Sequence, residues 1–215
     1  RDQARGVLSP SSGGAEAGPP SAPLQILGFH GFCGVPADLE LLQRAAAPLA
    51  LALHRPLLPG HGERPQALLG LGYADWLQFA EERLLEVGGA GPAVLAGLSL
   101  GGLLALDLAA HHPERVAGLI LLAPALWLRE PHPDWTISLT RRLRIPERLL
   151  PKPAGPDLRD PRARAANAGY RAQPLGGIQS VQLAGRRCRQ LLARITCPTL
   201  VLQGARDRVV HPQTP

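Results

Sequence analysis

The chain has 215 residues, 45% of them hydrophobic, and a formal net charge of +6, which is enough apolar material for a sizeable core and too much for a disordered chain. Its longest apolar run, around Val116 to Leu128, falls short of a membrane span, and residues 1–23 lack the apolar centre of a secretory signal. Cys33, Cys188 and Cys197, without a C-x-x-C pair or a histidine cluster, exclude a disulfide framework and a zinc-ligand pattern. A reducing cytoplasm is therefore the expected compartment, and no cofactor or metal is implied.

In chain order, residues 1–23 are rich in Gly, Ser, Pro and Ala without periodicity and read as an arm or linker. Leu24 to Phe29 reads as a strand that opens into the loop His30-Gly31-Phe32-Cys33-Gly34. Pro36-Ala37-Asp38 starts a helix whose apolar residues Leu41, Leu42, Ala45, Ala46 and Leu49 recur at helical spacing. Ala50 to Leu58 is the next expected strand, ending in Pro59-Gly60-His61-Gly62, and Tyr73 to Val87 is an amphipathic helix. Ala93 to Leu98 and Val116 to Leu122 carry no charge, as strands buried on both faces of a parallel sheet do. Between them Leu100 to His112 has helical character and stops before Pro113.

From residue 125 to about 190 the strand–helix rhythm lapses into a stretch rich in Pro and Arg, with short helical pieces over Trp135–Leu143 and Gln179–Arg194 and no strand expected. This stretch reads as an insertion between a first core part, 24–124, and a second, 191–215. The rhythm resumes with an apolar strand at Pro198 to Gln203, followed by Gly204-Ala205-Arg206-Asp207-Arg208-Val209-Val210. Strands alternating with helices predict an α/β fold, a mostly parallel sheet with helices on both faces. Thr140 to Ile195 carries 13 Arg or Lys against Glu147, Asp157 and Asp160, a local excess of about +10. Attraction to anionic lipid surfaces or to acidic substrates is one reading, and a solvated face of an arginine-rich chain is the favoured one. Nucleic-acid binding has little support, because aromatics are 4% of the chain and no recognition motif occurs.

Gly97-Leu98-Ser99-Leu100-Gly101 is a G-x-S-x-G pattern at the junction of an apolar strand and a helix. There it reads as a sharp turn that raises the serine hydroxyl above the sheet edge, with glycines where a Cβ would collide. Together with this elbow, His30-Gly31-Phe32, Pro59-Gly60-His61-Gly62, Asp75-Trp76 and Gly204–Val210 follow one another in an order that resembles the α/β-hydrolase superfamily, and within it small microbial carboxylesterases and monoacylglycerol lipases. The resemblance implies Ser99 as nucleophile, Asp207 as the triad acid, and the backbone N–H groups of Phe32 and Leu100 as the oxyanion hole. It further implies that the insertion forms a small helical cap. The chemistry is an acyl transfer: a histidine takes the serine proton, a carboxylate fixes that histidine, and the two N–H groups receive the charge that develops on the substrate oxygen.

The pattern departs from the family at the base. The family's histidine follows the acid by a further strand and helix, which are expected to be missing here. The chain also contains no methionine, so it is expected to be a fragment. His211 lies four residues after Asp207, on the same loop, and is read as a loop residue; His30 is read as part of the oxyanion loop, His61 as a structural turn residue, and His54, His111, His112 and His132 as strand, helix-end and loop residues. Asp107, two turns into the helix, is expected to point away from Ser99, and Cys33 to be a packed residue. Tyr170, Trp127 and Trp135 are expected either to line an acyl pocket or to pack the insertion on the core. The expected activity is hydrolysis of short or medium acyl esters, including monoacylglycerols, through an acyl-enzyme on Ser99. The alternatives are an inactive fragment or binding module of the same fold, and a thioesterase or C–C bond hydrolase.

Overall fold

The computed structural model describes residues 24–87, 91–129, 135, 139, 142–143, 148–151, 160 and 169–211. The expected arm, 1–23, and most of the expected Trp135–Leu143 helix lie outside them. Seven strands occur among the described residues: β1 (Gln25–Phe29), β2 (Ala52–His54), β3 (Ala93–Leu98), β4 (Val116–Leu122), β5 (Leu149–Pro151), β6 (Ala172–Pro174) and β7 (Thr199–Leu202). Five form a parallel sheet in the order β2-β1-β3-β4-β7. The principal helices are α1 (Glu40–Ala46), α2 (Tyr73–Val87), α3 (Leu100–His111) and α4 (Leu175–Leu191).

Alternation along the strands sorts their side chains into two layers. Leu27, Phe29, Leu95, Leu119 and Leu121 join the large core that also holds Trp76 and Leu84 of α2, Leu103, Leu104 and Leu108 of α3, and Val181, Ala184 and Cys188 of α4. Ile26 and Ala96, with Val94 and Ile120 beside them, face the other way into a small cluster with Ala46 and Leu42 of α1. Runs that bury both faces have no polar positions, which is why β3 and β4 read as unbroken apolar segments. α3 is buried along nearly its whole length, from Leu100 to Ala110. Its one acidic residue, Asp107, is 2% exposed and points into the seam between helices. There it accepts hydrogen bonds from the Tyr73 hydroxyl of α2 (3.2 Å) and from Arg187 of α4 (3.2 Å), and pairs with His111 (2.9 Å). A buried carboxylate needs such partners, and here they fasten three helices to one another.

Two expectations are corrected. The segment Ala50 to Leu58 forms only the three-residue β2, because it is an edge strand and Pro56 has no N–H to donate. The stretch 125–190, expected to hold no strand, contains the antiparallel ribbon of β5 and β6, with Leu149 opposite Pro174 and Pro151 opposite Ala172. Strands of three residues with proline at their ends show no alternation to read. α4, on the C-terminal side of that stretch, packs on α3 and α2. Its arginines are tied down locally: Arg187 to Asp107, Arg189 to the Leu126 carbonyl and over the Trp127 ring at 5.2 Å. β7, at the sheet edge, leaves Leu200 and Leu202 each 53% exposed.

Candidate active site

The turn after β3 holds Ser99 at φ 53°, ψ −109°, a conformation a residue with a Cβ adopts only at a cost of about 1–3 kcal/mol. Its neighbours over-determine it. The Ser99 N–H donates to the Leu122 carbonyl (2.9 Å), while its own carbonyl accepts from Gly102 (3.0 Å), Ala125 (3.2 Å) and Leu103 (3.3 Å). A Cβ on Gly97 would strike the Gly101 carbonyl, one on Gly101 the Phe29 carbonyl, and one on Gly102 would lie 2.9 Å from Pro124. The glycines are therefore required by close approach. The Ser99 side chain does not cap α3, and the serine sits half-buried at the mouth of the turn.

The loop after β1 lies against this serine: a Cβ on Gly31 would sit 3.6 Å from Ser99 Cβ. The next residue is Phe32. A turn closed by the Gly34 N–H on the Gly31 carbonyl (3.0 Å), with Cys33 at φ 61°, sets the backbone there. Leu100 is the first residue of α3, so its N–H has no acceptor four residues back within the helix and carries the positive end of the helix dipole. Thus Ser99, Leu100 and the Phe32 loop are brought together at the C-terminal edge of the sheet. Asp207 stands on the same edge in the loop after β7, two strands from β3, which is roughly 10 Å between strand axes. Its Oδ1 accepts from the N–H groups of Val209 (2.8 Å) and Val210 (2.9 Å), and its Oδ2 from Gln203 Nε2 (3.0 Å).

The histidines are placed as follows. His30 is fully buried; its Nε2 accepts the Leu58 N–H (3.1 Å), so its proton is on Nδ1, which donates to the Gly31 carbonyl (2.9 Å). This neutral ring locks the Phe32 loop to the loop after β2, and burial lowers its pKa. His61, 2% exposed, stacks edge-on against His30 at 4.9 Å and Trp76 at 5.7 Å. Its pKa is pushed from the usual 6.5 to about 4, first by burial and then by the neighbouring His30. His54 bonds Gln25, His111 pairs with Asp107 and His112 with Glu81. The His211 N–H binds the Trp127 carbonyl beside a Leu128–Val210 bridge, and His132 lies outside the described residues. Among the described residues no group of three His, Cys, Asp or Glu is arranged to hold a metal, and no helix is long and apolar enough to cross a membrane.

The buried imidazoles give the fold a defined acid response. The unfolded chain binds the His61 proton near pH 6.5 and the folded one only near pH 4, so its contribution to stability is complete above 6.5 and lost as pH falls between those values. Urea midpoints are expected to drop steeply from pH 7 to pH 4.5, by up to about 3 kcal/mol from His61. A flat profile over that interval would show that His61 is not held neutral.

A family model described as serine aminopeptidase, S33, matches residues 60–214. The chain belongs to this α/β-hydrolase family. The S33-family chain is 28% identical over 193 residues to a thermostable monoacylglycerol lipase of Bacillus sp. (strain H-257), covering 89% of this chain and 74% of that one. It is 31% identical over 201 residues to a pimeloyl-[acyl-carrier protein] methyl ester esterase of Citrobacter koseri, covering 85% and 75% respectively. Among solved structures, that of a metagenome-derived lipolytic enzyme superposes with a TM-score of 0.77 at 27% identity, over 89% of this chain and 76% of the other. The fold is therefore the α/β-hydrolase fold, and the relatives of this S33-family chain are hydrolases of the esterase and lipase type.

Tyr170, expected either to line an acyl pocket or to pack, is found between two loops of the site. Its N–H donates to Cys33 O (3.0 Å), its hydroxyl donates to Gly60 O (3.2 Å), and it accepts from the Glu63 N–H (2.9 Å). Gln203, the partner of Asp207, and His30 as a cross-link between loops were also not foreseen; Gln203 is four residues from Asp207 and could have been suspected from that spacing. Nothing local in the sequence points to these partners of Tyr170, each more than one hundred residues away. Cys33 is buried in the main core.

Proposed function

We propose that this S33-family chain carries the acyl-transfer machinery of a serine esterase, with Ser99 as nucleophile, Asp207 as the acid, and the N–H groups of Leu100 and Phe32 as the oxyanion hole. The observation that supports this best is the approach of the Gly31–Phe32 loop to Ser99 beside the first turn of α3, which brings the backbone that bears the two proposed donors close to the serine. Ser99 attacks the ester carbonyl carbon, its proton passes to a histidine, and the alkoxide leaves with that proton. Water then cleaves the acyl-serine ester by the same route in reverse. The base belongs between Ser99 and Asp207. The five histidines with other buried or paired roles do not occupy that place, and in the resemblance the base follows the acid by a further strand and helix.

The relatives named above act on monoacylglycerols and on a methyl ester, which favours a carboxylic ester over a peptide bond as the substrate class; the serine aminopeptidase description belongs to the family as a whole. The insertion, residues 125–190, is read as a cap, and much of it lies outside the described residues. The deciding experiment is ester hydrolysis and fluorophosphonate labelling with and without Ser99→Ala, on this chain and on the longest reading frame that encodes it, the extended protein. Ester turnover and labelling in the extended protein are expected to fall by about three orders of magnitude or more in Ser99→Ala. Unchanged labelling or turnover would remove Ser99 from the mechanism.

A further inference from the structure

The Phe32 backbone is held from outside its own loop, on three sides. Its ring lies against Trp76 (centroids 5.5 Å) and edge-on to His61 (6.2 Å). On a third side it rests on α4 at Gly177, where a Cβ would come within 2.6 Å of Phe32 Cζ and 2.9 Å of Cε2, so the ring occupies the place a side chain would need. Tyr170 completes the hold. Its N–H ties Cys33, the residue after Phe32, while its hydroxyl bridges Gly60 and Glu63 of the loop after β2. The same two loops are cross-linked on their buried side by His30. The Phe32 loop is thus held through β1 and His30, through Trp76 and His61, and through the short segment from Tyr170 to Gly177 that leads through β6 into α4.

We propose that Tyr170 is a positioning residue for the oxyanion hole, and that the Tyr170–Gly177 segment clamps the Phe32 loop in register with Ser99. This inference rests on the esterase reading for its catalytic consequence, though not for the clamp itself. A carbonyl oxygen gains from a backbone donor only if the donor is held where the oxyanion will form, so a loop that drifts loses rate and leaves ester affinity largely intact. The clamp also connects the insertion to the chemistry: a displacement of the chain entering β6 moves the Cys33 carbonyl and the Phe32 ring together.

The test is Tyr170→Phe, which keeps the ring and the N–H bond to Cys33 and removes only the hydroxyl bridge. Amide hydrogen exchange is expected to accelerate about tenfold in residues 30–34 and 58–63 and to stay unchanged in 103–108 of α3. In the extended protein, kcat for ester hydrolysis is expected to fall about tenfold with KM within about twofold. Gly177→Ala, whose methyl group would press on the Phe32 ring, should give the same local signature. Unchanged exchange at 30–34, or acceleration spread evenly into α3, overturns the clamp. Faster local exchange with wild-type kcat overturns its catalytic role. Wild-type turnover in Ser99→Ala would instead sink the esterase reading, and the exchange measurement would then decide the clamp alone.

Discussion

Gly101→Ala is expected to destabilise the protein by about 3 kcal/mol or more, read as a drop in the urea midpoint, and to abolish labelling of Ser99. The new methyl group would meet backbone on every side, on the Phe29 carbonyl first and then on the His30 carbonyl at 2.9 Å, so no side-chain rotamer can relieve it. Relief would require β1 and α3 to separate, and those elements bury Phe29, Leu103 and Leu104 between them. Gly70→Ala is the matched control. Gly70 has φ +83° and open space where a Cβ would stand, with nothing within 4 Å, so its substitution costs only the left-handed backbone penalty of about 1–2 kcal/mol. Equal destabilisation of the two variants would mean that close packing at the elbow is not what glycine supplies.

Asp207→Asn is expected to separate stability from activity. The side-chain oxygen of asparagine can still accept from Val209 and Val210, and its amide can donate to Gln203, whose Oε1 is buried without a partner, once that amide turns over. The fold should therefore lose less than about 1 kcal/mol. Ester hydrolysis by the extended protein is expected to fall by about 10³–10⁴-fold, since a neutral amide neither fixes the histidine tautomer nor stabilises the imidazolium. Activity within tenfold of wild type, with the fold intact, would assign the acid to another carboxylate. Asp107 is the first to consider by type, yet its contacts with Tyr73, Arg187 and His111 hold it in the helix seam.

What could be read from the chain and what could not follows from the range of the forces involved. β3, β4 and α2 have the boundaries expected, Ala93–Leu98, Val116–Leu122 and Tyr73–Val87, because burial on both sheet faces or on one helix stripe imposes a pattern on consecutive residues. The elbow was legible for the same reason: Gly97, Ser99 and Gly101 are close in sequence because the close approach they permit is between a strand and the helix immediately after it. Asp107 pointing away from Ser99 followed from helical spacing. By contrast β2 shrank where Pro56 and an edge position removed hydrogen bonds, and the β5–β6 ribbon pairs residues too few to show a period. Tyr170 and Gly177 act on partners at Cys33, Gly60 and Phe32, and no local pattern encodes a contact across that length of chain.

The strained backbone of Ser99 sets the role proposed for this residue against stability. Glycine would occupy φ 53°, ψ −109° at little cost, and the Ser99 hydroxyl makes no capping hydrogen bond to α3. Selection for thermal resistance alone, in a library without an activity screen, is therefore expected to favour Ser99→Gly.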